Sequence, residues 1–260
     1  MLLAFLTALG VGGATLVGSA FGFAFQRISH RFSDVALAFA AGVMLAAATF
    51  GLILPAVEDG GRFGLPIAIV GIFVGAYALT LVDKFVPHLH RLIEPDGSPS
   101  GAPGDDALKK TLLFVVAIAI HNVSEGLAAG VGVGFGDAGE TSRALVVAGG
   151  IALQNIPEGL IVVSALLAAG VSARKTLACA LASGLVEVVG VPIGYGVVSF
   201  AAPFAPFVLP FALAFAGGAM LYVVSDEMIP ETHAHGAERG ATYSLLAGFC
   251  IMLAADALLG

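Results

Sequence analysis

A chain of 260 residues that is 58% hydrophobic and only 11% charged, with a mean hydropathy of +1.00, excludes the class of soluble domains, which are roughly half apolar and a quarter charged. The net charge of −7 comes without any basic run, so no nucleic-acid partner is expected. Cys179 and Cys250 both sit in apolar stretches, which argues against a disulfide framework and for small packing residues.

Eight segments are long enough to cross roughly 30 Å of hydrocarbon at about 1.5 Å per helical residue. They are predicted at 2–25, 34–57, 65–84, 110–135, 144–170, 174–200, 206–229 and 241–259, which makes the fold all-α, a polytopic membrane helix bundle in one domain over 1–260. The first, Met1 to Phe25, lacks a basic n-region and a convincing cleavage site, and is read as a span and not a removable signal peptide. One connection is long: a polar stretch at 85–109, rich in Gly, Pro, Ser and Asp between Pro87 and Asp106, is predicted to be a mobile loop.

Lysine and arginine set the orientation. With the N-terminus outside, Arg27, Arg31, Lys84, Arg91, Lys109, Lys110, Arg174, Lys175 and Arg239 fall on the cytoplasmic side, against only Arg62 and Arg143 outside. Both termini are therefore predicted to be extracellular or periplasmic, and the 85–109 loop cytoplasmic. Glycine pairs at Gly130 and Gly134, Gly132 and Gly136, and Gly190 and Gly194 suit close helix crossings.

Chemistry concentrates in spans four to six. His121-Asn122-Val123-Ser124-Glu125-Gly126 is echoed by Gln154-Asn155-Ile156-Pro157-Glu158-Gly159, and in each the first residue and the Glu stand one helical turn apart on one face. Because the two helices run in opposite directions, the shared Asn-x-x-Glu-Gly hints at an inverted repeat with a site near the membrane midplane. Glu187 lies at similar depth in span six, and no Lys or Arg does. One charge at the bilayer centre costs roughly 3 kcal/mol, so three acids call for a proton, water or a cation. Protonation alone leaves His121, Asn122, Gln154 and Asn155 unexplained, whereas a divalent cation uses their nitrogen and oxygen atoms. Such a donor set suits zinc, and also cadmium, iron, manganese or cobalt. Pro157 is expected to kink span five and free the carbonyl of Leu153 beside the motif.

These motifs, the eight spans and a histidine-bearing loop after span three resemble the Zrt/Irt-like (ZIP) divalent-metal transporters, above all the bacterial members, over essentially the whole chain. The resemblance implies that His121, Asn122, Glu125, Gln154, Asn155, Glu158 and Glu187 are transport-site ligands, with Glu125 and Glu158 bridging two ions. It implies a homodimer in the cell (inner) membrane that moves metal into the cytoplasm, the ion being substrate and not cofactor. Many family members carry His where this chain has Gln154, which leaves a single imidazole in the centre.

Secondary stations are weaker. Met44 is a soft donor on the outer side of span two, although a lone Met on a helix is usually core filler. Asp226 and Glu227 near the end of span seven are candidate exit ligands, as are His88 and His90 in the loop with Asp83 nearby; His233 and His235 form a second His-x-His pair. Asp256, close to the C-terminus, stays outside the expected site. Two other classes compete with a permease: an intramembrane metal-dependent hydrolase, which wants more strong ligands than one deep histidine supplies, and a proton-coupled carrier of an organic solute, for which the doubled ligand motif has no use. The chain is therefore not expected to be an enzyme.

Overall fold

The computed structural model describes residues 1–25, 28–93, 120–134, 138–200, 205–236 and 238–260, with the side chains of 83–93, 138–140 and 205 left aside. The helices are α1 (Leu2–Ala24), α2 (His30–Asp59), α3 (Gly64–Ile93), α4 (120–133), α5 (Ala138–Ala168), α6 (Ala173–Phe200), α7 (Ala205–Val223, carried on through Val224–Met228 and Ile229–Thr232) and α8 (Glu238–Leu259). Among the described residues, seven of these are long and apolar enough to cross a membrane, while α4 is described for its motif-bearing part only.

Several boundaries differ from the sequence reading: α5 begins at Ala138 where 144 was expected and α8 at Glu238 where 241 was expected, and two further differences have a visible local cause or consequence. Helix α2 begins at His30, four residues before the expected 34, because Ser29 caps it: the Ser29 hydroxyl accepts from the Phe32 N–H at 3.2 Å. Helix α3 runs on through His88 and His90 to Ile93, where a loop from residue 85 was expected. Pro87 does not stop the helix, and the rest of the polar stretch lies outside the described residues.

Helices α2 and α7 each contain a π-helical turn, and each turn directly precedes a proline. The Leu54 N–H bonds back five residues to the Thr49 carbonyl ahead of Pro55, and the Ile229 N–H bonds five residues back to the Val224 carbonyl ahead of Pro230. Proline has no N–H to offer the carbonyl four residues back, so a widened turn is a cheap local solution.

The helices sort into two groups. Helices α1, α5 and α6 pack together, and α4 joins them through glycine crossings on α6; α3 pairs with α7, and α2 with α8. Lipid offers no hydrophobic drive for such pairing, so close van der Waals approach through small residues must supply it. At Gly126 an added Cβ would meet the Glu187 carbonyl oxygen at 2.7 Å and the Gly190 Cα at 3.0 Å. Of the residues in each span's most apolar stretch, 67% are buried in α2 and α7 but 22% in α3 and 11% in α8, so α2 and α7 line the seam between the groups and α3 and α8 face outward.

Exchanging α1 with α6, α2 with α7, α3 with α8 and α4 with α5 turns the α3–α7 pairing into α8–α2, and the α1–α5 pairing into α6–α4. The sequence follows the same exchange. Gly12-Gly13-Ala14-Thr15-Leu16-Val17-Gly18 in α1 matches Gly184-Leu185-Val186-Glu187-Val188-Val189-Gly190 in α6, and the glycine after each motif Glu abuts the same place: Gly126 the Glu187 carbonyl, Gly159 the Thr15 carbonyl.

Candidate metal centre

His121, Glu125, Gln154, Asn155, Glu158 and Glu187 are each at most 2% exposed, and Asn122 is 1% exposed, so the seven expected ligands are all buried. The i to i+4 spacing places His121 over Glu125 on α4 and Gln154 over Glu158 on α5. The two stripes then face one another. His121 Nε2 lies 3.3 Å from Glu158 Oε2, and the Gln154 side-chain amide donates to Glu125 Oε1. Ligand atoms of His121, Glu125 and Glu158 fall within 4.8 Å of one another, and this is the only group of three or more His, Cys, Asp or Glu among the described residues to do so.

A second knot lies beside the first. The Thr15 hydroxyl sits 2.7 Å and 2.8 Å from the two oxygens of Glu187, and the Asn155 amide donates to Glu187 Oε2 at 3.0 Å. Asn155 also reaches the Val11 carbonyl at 3.4 Å, while Asn122 donates to the Ser183 hydroxyl at 2.8 Å. Val11 and Ser183 each stand four residues before Thr15 and Glu187, so the two asparagines make equivalent contacts through the helix exchange.

What these bonds leave over is the chemically telling part. His121 Nδ1, Asn122 Oδ1, Glu125 Oε2, Gln154 Oε1, Asn155 Oδ1 and Glu158 Oε1 are buried without a hydrogen-bond partner. A buried polar atom left unpaired costs about 1–3 kcal/mol, so six on two facing helices call for a hydrogen-bond donor, water or a cation among them. Five of the six are oxygens that accept from a donor or bind a cation, and the sixth is an imidazole nitrogen.

Of the secondary stations, Glu227 approaches the centre: its Oε2 lies 3.7 Å from His121 Nδ1, reaching over from the π-helical turn of α7. Asp226 beside it is exposed. Met44 is fully buried within the apolar core. The side chains of His88 and His90 lie outside the described residues, as does that of Asp83. Pro157 and Leu153 line an apolar cavity of about 360 Å³ with Phe32, Val35, Phe39 and Ser244, on the side of α5 that faces α2 and α8. Sequence reasoning missed Thr15 and Ser183. Both are small hydroxyl residues inside apolar helices, and the match between Gly-x-x-Thr-x-x-Gly and Gly-x-x-Glu-x-x-Gly was the available signal for Thr15.

The fold and site together define a polytopic helical membrane protein whose core holds a buried set of imidazole, carboxylate and carboxamide donors. The family profile described as ZIP Zinc transporter matches residues 101–256. The chain is 40% identical over 219 residues to a protein named zinc transporter GufA from Myxococcus xanthus, covering 82% of this chain and 81% of that one. It is 38% identical over 254 residues to zinc transporter ZIPB of Bordetella bronchiseptica, covering 95% and 78%, and 33% identical over 330 aligned residues to human zinc transporter ZIP11, covering 95% and 94%. The chain belongs to the ZIP zinc transporter family.

Proposed function

We propose that this protein is a divalent-metal permease, with zinc as its foremost cargo, and that the ion crosses the membrane through the buried centre between α4, α5 and α6. The observation that carries this reading is the set of six buried, unpartnered donor atoms on His121, Asn122, Glu125, Gln154, Asn155 and Glu158, with ligand atoms of His121, Glu125 and Glu158 within 4.8 Å of one another. In this reading His121 Nδ1 or Nε2 and the free oxygens of Glu125, Gln154 and Glu158 replace water around the ion, while Asn122, Asn155 and Glu187 form the adjoining subsite. In this reading Glu125 and Glu158 bridge two ions, as the family resemblance implies. One imidazole among oxygens is a borderline donor set, which fits zinc and leaves cadmium, iron and manganese as competing cargo.

The relatives named above are zinc transporters, and the positive-inside bias assigns the side that bears most arginines and lysines to the cytoplasm, the side towards which the ion moves in this reading. Glu227 belongs to the α7 side of the seam, the other ligands to α4, α5 and α6. Sliding of the two groups against one another therefore breaks the His121–Glu227 contact and leaves the remaining ligands together, a simple way to present the ion to alternate faces. Placement in the inner membrane and pairing as a homodimer complete the proposal; the outward apolar residues Leu65, Ile69, Phe73 and Tyr77 of α3 suit either lipid or a second copy.

The test is uptake into liposomes holding the purified protein, comparing zinc, cadmium, manganese and iron. Glu158→Gln removes one charge and keeps the shape. Zinc uptake should fall at least about a hundredfold, since even supporting groups of metal sites are worth roughly 10–100-fold in affinity. Wild-type rates in that variant would remove the site assignment.

A further inference from the structure

We infer a second cation station, separate from the buried centre, formed by His30 and Asp34 at the start of α2 and His235 in the α7–α8 connection. Asp34 is 3% exposed although it lies in the first turns of its helix. One of its oxygens is paired, Oδ1 with His235 Nδ1 at 3.0 Å; the other, Oδ2, is buried and has no partner. A plain ion pair would leave that oxygen facing water. Buried and unpaired, it carries the same signature as the oxygens of the transport centre.

Imidazoles supply the rest. His30 stands one turn before Asp34, on the same face, and its ring stacks on that of His235 with centroids 4.8 Å apart at 22°. His30 makes no hydrogen bond among the described residues, so its ring nitrogens are free. The His-x-His pair of the α7–α8 connection is split by the fold. His233 is spent on structure, with Nδ1 2.9 Å from the Thr232 hydroxyl and 3.0 Å from the Ile229 carbonyl, while His235 turns to α2. Two imidazoles and a carboxylate form a zinc-class donor set with room for water as the fourth ligand.

Position gives the station a role, and that role rests on the proposed transport. His30 lines a cavity of about 470 Å³ together with Ser33, Ile161, Ser164 and Ala165. Ile161 and Ala165 follow Glu158 by three and seven residues, on the same stripe of α5, so the cavity opens beneath the transport centre. It does so at the end bearing Arg31, Arg174, Lys175 and Arg239, the side that the positive-inside rule assigns to the cytoplasm. The three donors do not close within the 4.8 Å that unites His121, Glu125 and Glu158. Looser donors bind more weakly, and a receiving station must be weak enough to let go.

The experiment is a calorimetric Zn²⁺ titration of the full chain in detergent, with Glu125→Ala and Glu158→Ala combined to silence the buried centre. A residual site is expected, weakened about tenfold or more by His30→Ala, by Asp34→Asn and by His235→Ala, and unmoved by His233→Ala. An isotherm that ignores His30→Ala and His235→Ala, or that loses the site with His233→Ala, overturns the station. Should Asp34→Asn fail to yield monodisperse protein, His235→Ala carries the test, since that side chain is 36% exposed and its loss leaves the helix contacts in place. Liposome uptake separates the two readings. Zinc uptake with an insensitive residual isotherm sinks the station alone, whereas a sensitive isotherm without uptake sinks the transport reading and leaves the site.

Discussion

Helices α1 and α6 fill equivalent places in the bundle, yet one presents Thr15 to the centre and the other Glu187, and the two side chains bond to each other. Their flanking glycines meet: a Cβ on Gly12 would lie 2.6 Å from the Gly184 carbonyl oxygen, and one on Gly184 would lie 2.9 Å from that of Gly12. The framework is thus repeated while the charge is not. A cation held between α4 and α5, as proposed, would feel a carboxylate from the α6 side and only a hydroxyl and a carbonyl from the α1 side, so its two neighbourhoods would be unequal in spite of the shared scaffold.

The comparison can be broken most severely by making the two places alike. Glu187→Thr removes the charge from the α6 side, and zinc uptake in liposomes should fall about a hundredfold, on the scale of supporting groups in metal sites. Unchanged uptake would show that Glu187 serves packing. Next in size are the paired glycines. Gly126→Ala drives a methyl group into the Glu187 carbonyl, and Gly159→Ala drives one to 2.9 Å from the Ser19 nitrogen. Each should destabilise the protein by about 1–3 kcal/mol, the usual range for overpacking. Thermal unfolding in detergent should show both losses, and a loss at only one of them would mean that the two crossings are not mechanically equivalent. The smallest effect belongs to Thr15→Val, which keeps the shape but withdraws the donor from Glu187. A bond to a charged group is worth about 1.5–3 kcal/mol, so the KM for zinc should rise about tenfold with kcat little altered. Thr15→Ser should restore it, and failure of that rescue would assign the Val effect to repacking.

How much of this was legible in the sequence depended on contrast. His121, Glu125, Glu158 and Glu187 stand out because ionisable side chains are rare inside apolar runs, and their spacing fixed the shared face before any coordinates. Thr15 offered no such contrast, because threonine is neutral and sits comfortably in a membrane helix. The start of α2 at His30 was hidden by the polar residues around it, since hydropathy registers the membrane and not the capping hydroxyl of Ser29. Glu227 was placed only near an exit, because its approach to His121 depends on a turn with one residue too many, which helical periodicity does not reveal. The extension of α3 through Pro87 ran against a strong local signal for a break, and its final turns are polar enough that apolar patterning gave no reason to continue the helix.

The widened turns of α2 and α7 act like a dislocation in a screw thread. Everything beyond such a fault is rotated by about 100° relative to an unbroken α-helix, the angle that one residue subtends. Glu227 lies inside one of these faults, so its aim at His121 is an indexing property of the thread and not only of its own side chain. Removing a single residue between Val224 and Met228 would heal the thread, keep the helix, and point that carboxylate elsewhere. With a proline after each fault, Pro55 in α2 and Pro230 in α7, the two helices at the seam hold their re-indexed side chains at fixed places along the thread.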